Sequence, residues 1–248
     1  METLRIATYN IHKGVQGVGP VRRLEIHNLG HAVEQFDADV VCLQEVRKLH
    51  RGEARRFAHA HWPDLPQADY LAPEGYEAVY RTNAVTRHGE HGNALLSRWP
   101  VLITNHEDMS DHRFEQRGLL HAEIQWEPCP VHVVVVHLGL VRASRLRQLQ
   151  QLVRFIAREI PADAPLVVAG DFNEWGESVA RLLGPVGLTS YTQGRYPTFP
   201  SRLPLLQLDY VYARGLRPLG LEVPHGRNWW RMSDHLPLIA EFAWPPTA

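Results

Sequence analysis

Apolar and polar positions recur along this chain with the two periods that separate strands from helices. Leu4 to Ile11 reads as a strand, and Asp39 to Gln44 as a short, largely apolar one. Between Arg117 and Trp126, the side chains of Leu120, Ala122, Ile124 and Trp126 share a face opposite His121, Glu123 and Gln125, the period of two of a half-buried strand. Val131 to Leu138 and Leu166 to Ala169 are nearly continuous apolar runs, the pattern of central strands covered on both faces. Leu208 to Ala213 and Leu236 to Trp244 complete the expected strands. A helical period links Ile26, Leu29, Val33 and Phe36, and a second links Leu146, Leu149, Leu152, Val153, Ile156 and Ile160, where Pro161 ends the helix. A shorter helix is expected near Ser178 to Leu183, stopped by Gly184-Pro185. Strands alternating with helices, then strands in succession, predict a mixed α/β (α+β) architecture with more than one sheet. No repeat or linker divides residues 1–248, so a single domain is expected.

Composition narrows the classes. With 44% hydrophobic and 21% charged residues the chain is neither disordered nor fibrous. Its 26 basic and 27 acidic residues leave a net charge of -1, which argues against a strongly cationic nucleic-acid wrapper. Two cysteines, Cys42 and Cys129, are too few for a disulfide framework. The first residues enter a strand pattern without a signal-peptide core, and no apolar window approaches the ~20 residues of a membrane span. A soluble, cytoplasmic protein is the expectation. Fifteen histidines point toward metal or acid–base chemistry.

The polar residues are informative by position. Asn10 follows the run Leu4–Tyr9, Glu45 follows Val40–Gln44, His137 closes Val133–Val136 and the pair Asp171/Asn173 follows Leu166–Gly170, while Asp209 and Asp234-His235 precede Tyr210–Ala213 and Leu236–Trp244. If the latter strands run antiparallel to the former, all these groups meet at one sheet edge, where open α/β sheets hold ligands. Converging carboxylates repel one another unless a cation neutralises them. Their hard oxygen donors favour Mg²⁺ (or Mn²⁺), with room for waters and phosphate oxygens. Asp171 and Asn173 would project to the same side if the chain stays extended there. Taken singly, Asn10 reads equally as a turn residue, Glu45 as half of a salt bridge, and Ser233-Asp234-His235 as a cap or turn.

Eight short segments, in order from residue 8 to residue 237, carry a resemblance: Thr8-Tyr9-Asn10-Ile11, Leu43-Gln44-Glu45-Val46, the run 92–98, Gln116-Arg117-Gly118, Val136-His137-Leu138, Gly170-Asp171-Phe172-Asn173, Leu208-Asp209-Tyr210-Val211 and Ser233-Asp234-His235. Together they resemble the endonuclease/exonuclease/phosphatase superfamily, which spans nucleases, neutral sphingomyelinases and inositol-polyphosphate phosphatases. The resemblance implies a four-layer α/β/β/α sandwich, two mixed β-sheets packed face to face with helices outside. It implies a metal site of Asn10, Glu45 and Asp234, with Glu45 a direct ligand. Asp171 then resembles the carboxylate that orients or deprotonates the attacking water, and Asn173 the amide that contacts phosphate. His235 resembles a histidine held by Asp209, and His137 a second active-site histidine. Where several nucleases carry an acidic residue two positions beyond Asn10, this chain has His12, either a hydrogen-bond donor behind the metal ligands or a surface residue.

The implied activity is divalent-metal-dependent phosphodiester hydrolysis by an activated water, on nucleic acid or a lipid headgroup. The alternatives are a phosphomonoesterase of the inositol- or sugar-phosphate type and a non-catalytic binding module of the same fold. Around the site, Asn93 either lines the edge or makes a turn, and Arg117 either meets phosphate or forms a structural ion pair. Trp230 and Arg231, in the aromatic and basic run 227–231, are candidates for stacking on a base or meeting a headgroup, against simple packing of the loop. Arg195 to Pro200 carries a similar mixture. The basic cluster 47–56 beside Glu45 favours an anionic substrate, and the histidine-rich run 88–93 reads as a flexible loop in which His88 and His91 are minor metal candidates. Substrate, native metal and oligomeric state are left open.

Overall fold

A computed structural model describes residues 3–174, 176–190 and 194–246. In chain order its strands are β1 (Thr3–Asn10), β2 (Val15–Gln16), β3 (Arg23–Leu24), β4 (Val40–His50), β5 (Glu77–Thr86), β6 (Gly89–Ser97), β7 (Val101–Asp108), β8 (Gly118–Ile124), β9 (Val131–His137), β10 (Leu166–Asp171), β11 (Thr189–Ser190), β12 (Asp209–Arg214), β13 (Arg217–Glu222) and β14 (Leu238–Ala243). Its helices are α1 (Ile26–Phe36), α2 (Arg51–Arg56), α3 (Gln67–Leu71), α4 (Arg142–Glu159), α5 (Ser178–Leu183) and α6 (Trp229–Met232). No described helix is long and apolar enough to cross a membrane.

Two six-stranded mixed sheets dominate, ordered β13-β14-β1-β4-β6-β5 and β11-β12-β10-β9-β8-β7. The strand period sorts their apolar side chains into layers. Leu4, Ile6, Val40, Cys42 and Leu95 of the first sheet meet Leu120, Val133, Val135, Val167 and Ala169 of the second in one core between the sheets. Alternate residues face outward. Ala7, Tyr9, Val41 and Leu43 pack under Leu29, Val33 and Phe36 of α1, and Val134, Val136, Leu166 and Val168 pack under Leu149, Leu152 and Ile156 of α4. The result is a four-layer α/β/β/α sandwich.

Strand directions decide where the ends lie. β1 and β4 are parallel, as are β9 and β10, whereas β14 is antiparallel to β1 and β12 antiparallel to β10. The C-terminal ends of β1, β9 and β10 and the N-terminal ends of β12 and β14 therefore share one edge. Two expectations change. β4 does not stop at Gln44 but continues to His50, and the run 88–93 is not a loop but the turn of the β5–β6 hairpin and the start of β6. Arg47 is accordingly buried, with its guanidinium 4.0 Å from Glu53, rather than part of an exposed basic patch.

Candidate active site

The shared edge gathers side chains from both sheets. Within the second sheet, His137, Asp171 and Asp209 sit side by side on β9, β10 and β12, because Asp171 pairs in register with both of the others. Gly170 permits this closeness: its φ is +153°, and a Cβ there would lie 2.0 Å from the Val136 carbonyl oxygen. The first sheet contributes Asn10 at the end of β1 and Glu45 from a bulge in β4. Pairing jumps from Leu43–Ala94 to Val46–Gly92, so Gln44 and Glu45 together face Asn93. Glu45 has a left-handed backbone at φ 58°, which turns its carboxylate out of the strand's alternation. Of six non-glycine residues with positive φ among those described, four, namely His12, Lys13, Glu45 and Asn173, are at this edge, and strain of that kind persists only where the surroundings hold it.

Asp171 is the hub. Its Oδ2 accepts a hydrogen bond from Asn10 Nδ2 at 3.1 Å, which ties the two sheets together, and lies 3.5 Å from His137 Nε2 and 3.7 Å from His235 Nε2. Its Oδ1 accepts from the Asn173 backbone N–H at 2.9 Å. The chain thus does not stay extended from Asp171 to Asn173; it turns at Asn173, whose φ is 49°, and the Asn173 amide donates to the Leu138 carbonyl at 2.9 Å. Behind His235, Asp209 Oδ2 stands 2.8 Å from Nδ1 and also accepts from the Thr198 hydroxyl at 2.6 Å.

The electrostatics separate the two histidines. Burial works against a charged His235, but Asp209 and then Asp171 outweigh it and lift the imidazole well above its ordinary value. His137 moves far the other way, through burial and then the positive field of Arg117, so it is neutral. Asp171 is raised, chiefly by burial and further by Asp209, against the lowering pull of His235.

Two of the metal candidates meet basic partners from the turn after β1. Glu45 Oε2 is 2.9 Å from Lys13 Nζ, and Asp234 Oδ1 is 3.0 Å from His12 Nδ1. Burial opposes the Glu45 charge, yet Lys13, His137 and His12 together bring its carboxyl down to about 2. Asp234 is likewise lowered, its burial offset by the hydrogen bond and charge of His12. Asn10 Oδ1 accepts from the His12 backbone N–H at 3.1 Å. Asp171, Asp209 and His235 also have potential ligand atoms within 4.8 Å of one another. Asp209 Oδ2 already serves both His235 and Thr198, an arrangement that fits a proton relay, while Asp209 Oδ1 is buried without a hydrogen-bond partner. Glu45 is the better test of fit: an ionised, mostly buried carboxylate already paired with a side-chain cation, at the edge that also carries the hard oxygens of Asn10 and Asp234, suits a divalent ion.

The remaining candidates spread out. Asn93 is fully buried and donates to the Gly118 and Val135 carbonyls at 2.9 and 3.3 Å, a tie from β6 to the other sheet. Arg117 donates to the Leu138 carbonyl at 3.2 Å and pairs with Glu115 at 3.2 Å, so it shares with Asn173 the carbonyl beside His137. Trp230 lines a cleft of about 450 Å³ together with Val21, Arg23, Arg202, Leu203 and Asp234, and the Arg202 guanidinium lies 5.8 Å from its ring centroid. Arg231 lines a different cavity, with Glu25, Asn28 and His31 of the α1 side. Trp229 stacks on Phe36 with centroids 5.7 Å apart, which is packing. Lys13 and Thr198 were not singled out from sequence. Thr198 lies in a run where aromatic and basic residues dominate, and Lys13 adjoins His12 in a segment without hydrophobic periodicity.

Residues 7–235 match the model of a family described as the Endonuclease/Exonuclease/phosphatase family. The chain is 36% identical over 247 residues to the uncharacterized protein YbhP of Escherichia coli (strain K12), covering 96% of each. Among solved structures it is similar to an endonuclease/exonuclease/phosphatase family protein from Leptotrichia buccalis, with a TM-score of 0.75 at 15% identity, covering 97% of this chain and 100% of that one. It is also similar to D. rerio TDP2 complexed with a single-strand DNA product, with a TM-score of 0.69 at 17% identity, covering 98% and 100%.

Proposed function

The chain belongs to the endonuclease/exonuclease/phosphatase family, and from that premise we propose that it hydrolyses a phosphodiester with an activated water and a divalent ion, Mg²⁺ or Mn²⁺. The observation that carries the reading is a single buried oxygen, Asp171 Oδ2, with Asn10, His137 and His235 within 3.7 Å. A carboxylate whose proton affinity is raised by burial takes a proton from water near neutral pH, whereas an ordinary one does not. His235 is the cationic imidazole of the pair. Asp209 holds its Nδ1, which leaves Nε2 beside Asp171 as a charged donor to the phosphoryl group or the departing alkoxide. His137, kept neutral, is a donor or acceptor that adds no charge. Asn173 retains one amide hydrogen for a phosphate oxygen after its bond to Leu138. A divalent ion held by Glu45, Asn10 and Asp234 would offset the charge that builds on the phosphoryl oxygens.

The cleft beside Asp234 favours a diester over a monoester, because its volume of about 450 Å³, lined by Trp230 and Arg202 among others, offers room for a second substituent on phosphorus. Arg117 and Asn93 act through the scaffold in this reading, and Arg231 faces a separate cavity. Purified protein is expected to release nitrophenol from bis(nitrophenyl) phosphate, to lose that activity in EDTA and to leave nitrophenyl phosphate untouched. Turnover of the monoester instead would establish the phosphomonoesterase alternative, and no turnover of either substrate with Mg²⁺ or Mn²⁺ would sink the proposal. Plasmid nicking set against release of a phospholipid headgroup then identifies the substrate class; the DNA product held by the TDP2 relative puts nucleic acid first in that order.

A further inference from the structure

The turn that follows β1 is built from three consecutive left-handed residues, His12, Lys13 and Gly14, with φ of 44°, 61° and 70°. Single residues visit that region; successive ones with side chains do so rarely and must be held. Here they are held from both sides. Gln67 of α3 donates from Nε2 to the Lys13 carbonyl at 3.0 Å, while its Oε1 accepts from the Arg47 backbone N–H at 2.8 Å. The Gly14 carbonyl accepts from the Glu25 N–H at 2.9 Å, and a Cβ on Gly14 would come within 2.7 Å of Gln67 Nε2. One buried amide therefore locks the strained turn to β4 two residues beyond Glu45.

What this locked turn presents is a pair of basic side chains, one on each acidic metal candidate: His12 on Asp234 and Lys13 on Glu45. The choice of residue matters. Of the chain's 26 basic residues only two are lysines, Lys13 and Lys48. A guanidinium would grip Glu45 with a two-pronged bond, whereas an ammonium is a compact point charge on a flexible stem that changes partners easily. The Lys13 side chain is 30% exposed, so it has somewhere to go.

We propose that Lys13 is an exchangeable counter-cation: it occupies Glu45 in the metal-free protein, competes with the divalent ion for that carboxylate, and once displaced turns to the phosphate at the mouth of the site. The inference rests on the metal-dependent reading given above. Gln67 is a positioning residue for this exchange, acting through the turn.

The test measures ion binding and turnover separately. Titration calorimetry of Mg²⁺ and Mn²⁺ into substrate-free wild type, Lys13→Met and Lys13→Arg is expected to give a Lys13→Met protein that binds the ion more tightly by on the order of tenfold, and a Lys13→Arg protein that binds it more weakly than wild type. At saturating ion, Lys13→Met is expected to turn over a phosphodiester more slowly by at least on the order of tenfold. Higher affinity with lower turnover is a combination that a merely structural role would not produce. Equal affinities in wild type and Lys13→Met, or undiminished turnover in Lys13→Met at saturating ion, would overturn the proposal. A wild-type protein that binds neither ion would instead refute the metal-dependent reading on which it rests, so the two failures are distinguishable. Circular dichroism of each variant confirms that the comparison is between folded proteins.

Discussion

At His235 burial and two carboxylates act in opposite directions, and the carboxylates win. Its charge is therefore a property of Asp209 and Asp171, which makes a specific pH effect expected. Replacing Asp209 with Asn removes the largest of the raising influences, so the His235 proton is lost at lower pH. The alkaline limb of the rate profile should move toward neutrality, while the acid limb, set by Asp171, stays near its place or shifts down; rate against pH on a phosphodiester substrate measures both limbs. Direct removal is expected to be harsher. Asp171→Asn and His235→Ala should each lower turnover by on the order of 10² to 10⁴ if they move protons. Glu45→Ala should raise the Mg²⁺ concentration needed for half-maximal rate; a folded variant with unchanged rate and unchanged metal requirement would contradict the assigned role. The identities of these residues were legible in the sequence because each is a polar group abutting an apolar strand. Their protonation was not, since it depends on neighbours up to 161 positions away, as between Asn10 and Asp171.

At the scale of elements, the strands that the sequence disclosed are those in the interior of the sheets. β1, β4, β9, β10, β12 and β14 carry apolar residues on both faces, and their runs stand out. The unpredicted β5, β7, β11 and β13 are the four outermost strands of the two sheets. An edge strand is open to water along one side, so its residues can be polar without cost and the alternation fades, as in Glu77–Thr86 and Val101–Asp108. β6 is obscured by Gly89, Gly92 and His91 near its start. The β4 bulge was hidden for another reason: Glu45 after an apolar run reads as the strand's end, and only pairing with β6 reveals one extra residue inside a continuing strand. Element packing also sets the precision of the site. Gly170→Ala would force β10 away from β9 and displace Asp171 from His137. The expected loss is about 3 kcal/mol or more of unfolding free energy, from backbone strain and the clash with Val136, together with reduced turnover. Urea unfolding measures the first and initial rates the second; a variant as stable as wild type would show that the strand spacing is not fixed there.

Across the whole molecule, the histidines divide by what surrounds them. His121 and His132 stack under α4 with centroids 5.2 Å apart, hydrogen-bonded ring to ring at 3.0 Å, and Asn105 is 3.2 Å from the other His121 nitrogen. Among the described residues, none of those proposed for catalysis contacts them. Burial, reinforced by His132, brings His121 down to about 4; burial lowers His132 as well, brings His91 to about 4 with help from Lys13, and holds His137 far below its usual value. All four are neutral in the folded protein. In the unfolded chain they take up protons near pH 6.5. Stability from this source is therefore complete above about pH 6.5 and is lost as pH falls toward 4, at about 1.4 kcal/mol per pH unit for each histidine that the fold keeps unprotonated. His235 has the opposite sign: its raised affinity stabilises the fold fully below about pH 6.5, and that contribution declines as pH rises from there to its elevated value. The urea midpoint is accordingly expected to fall between pH 6.5 and pH 4.5 with little change in m-value. His121→Leu should lower stability at pH 7.5, because it strips partners from Asn105 and His132, and should also flatten the acid decline by about one proton's slope. If wild type and His121→Leu lose stability in parallel over that range, His121 titrates freely in the folded state, and the neutral core assigned to the histidine pair is wrong.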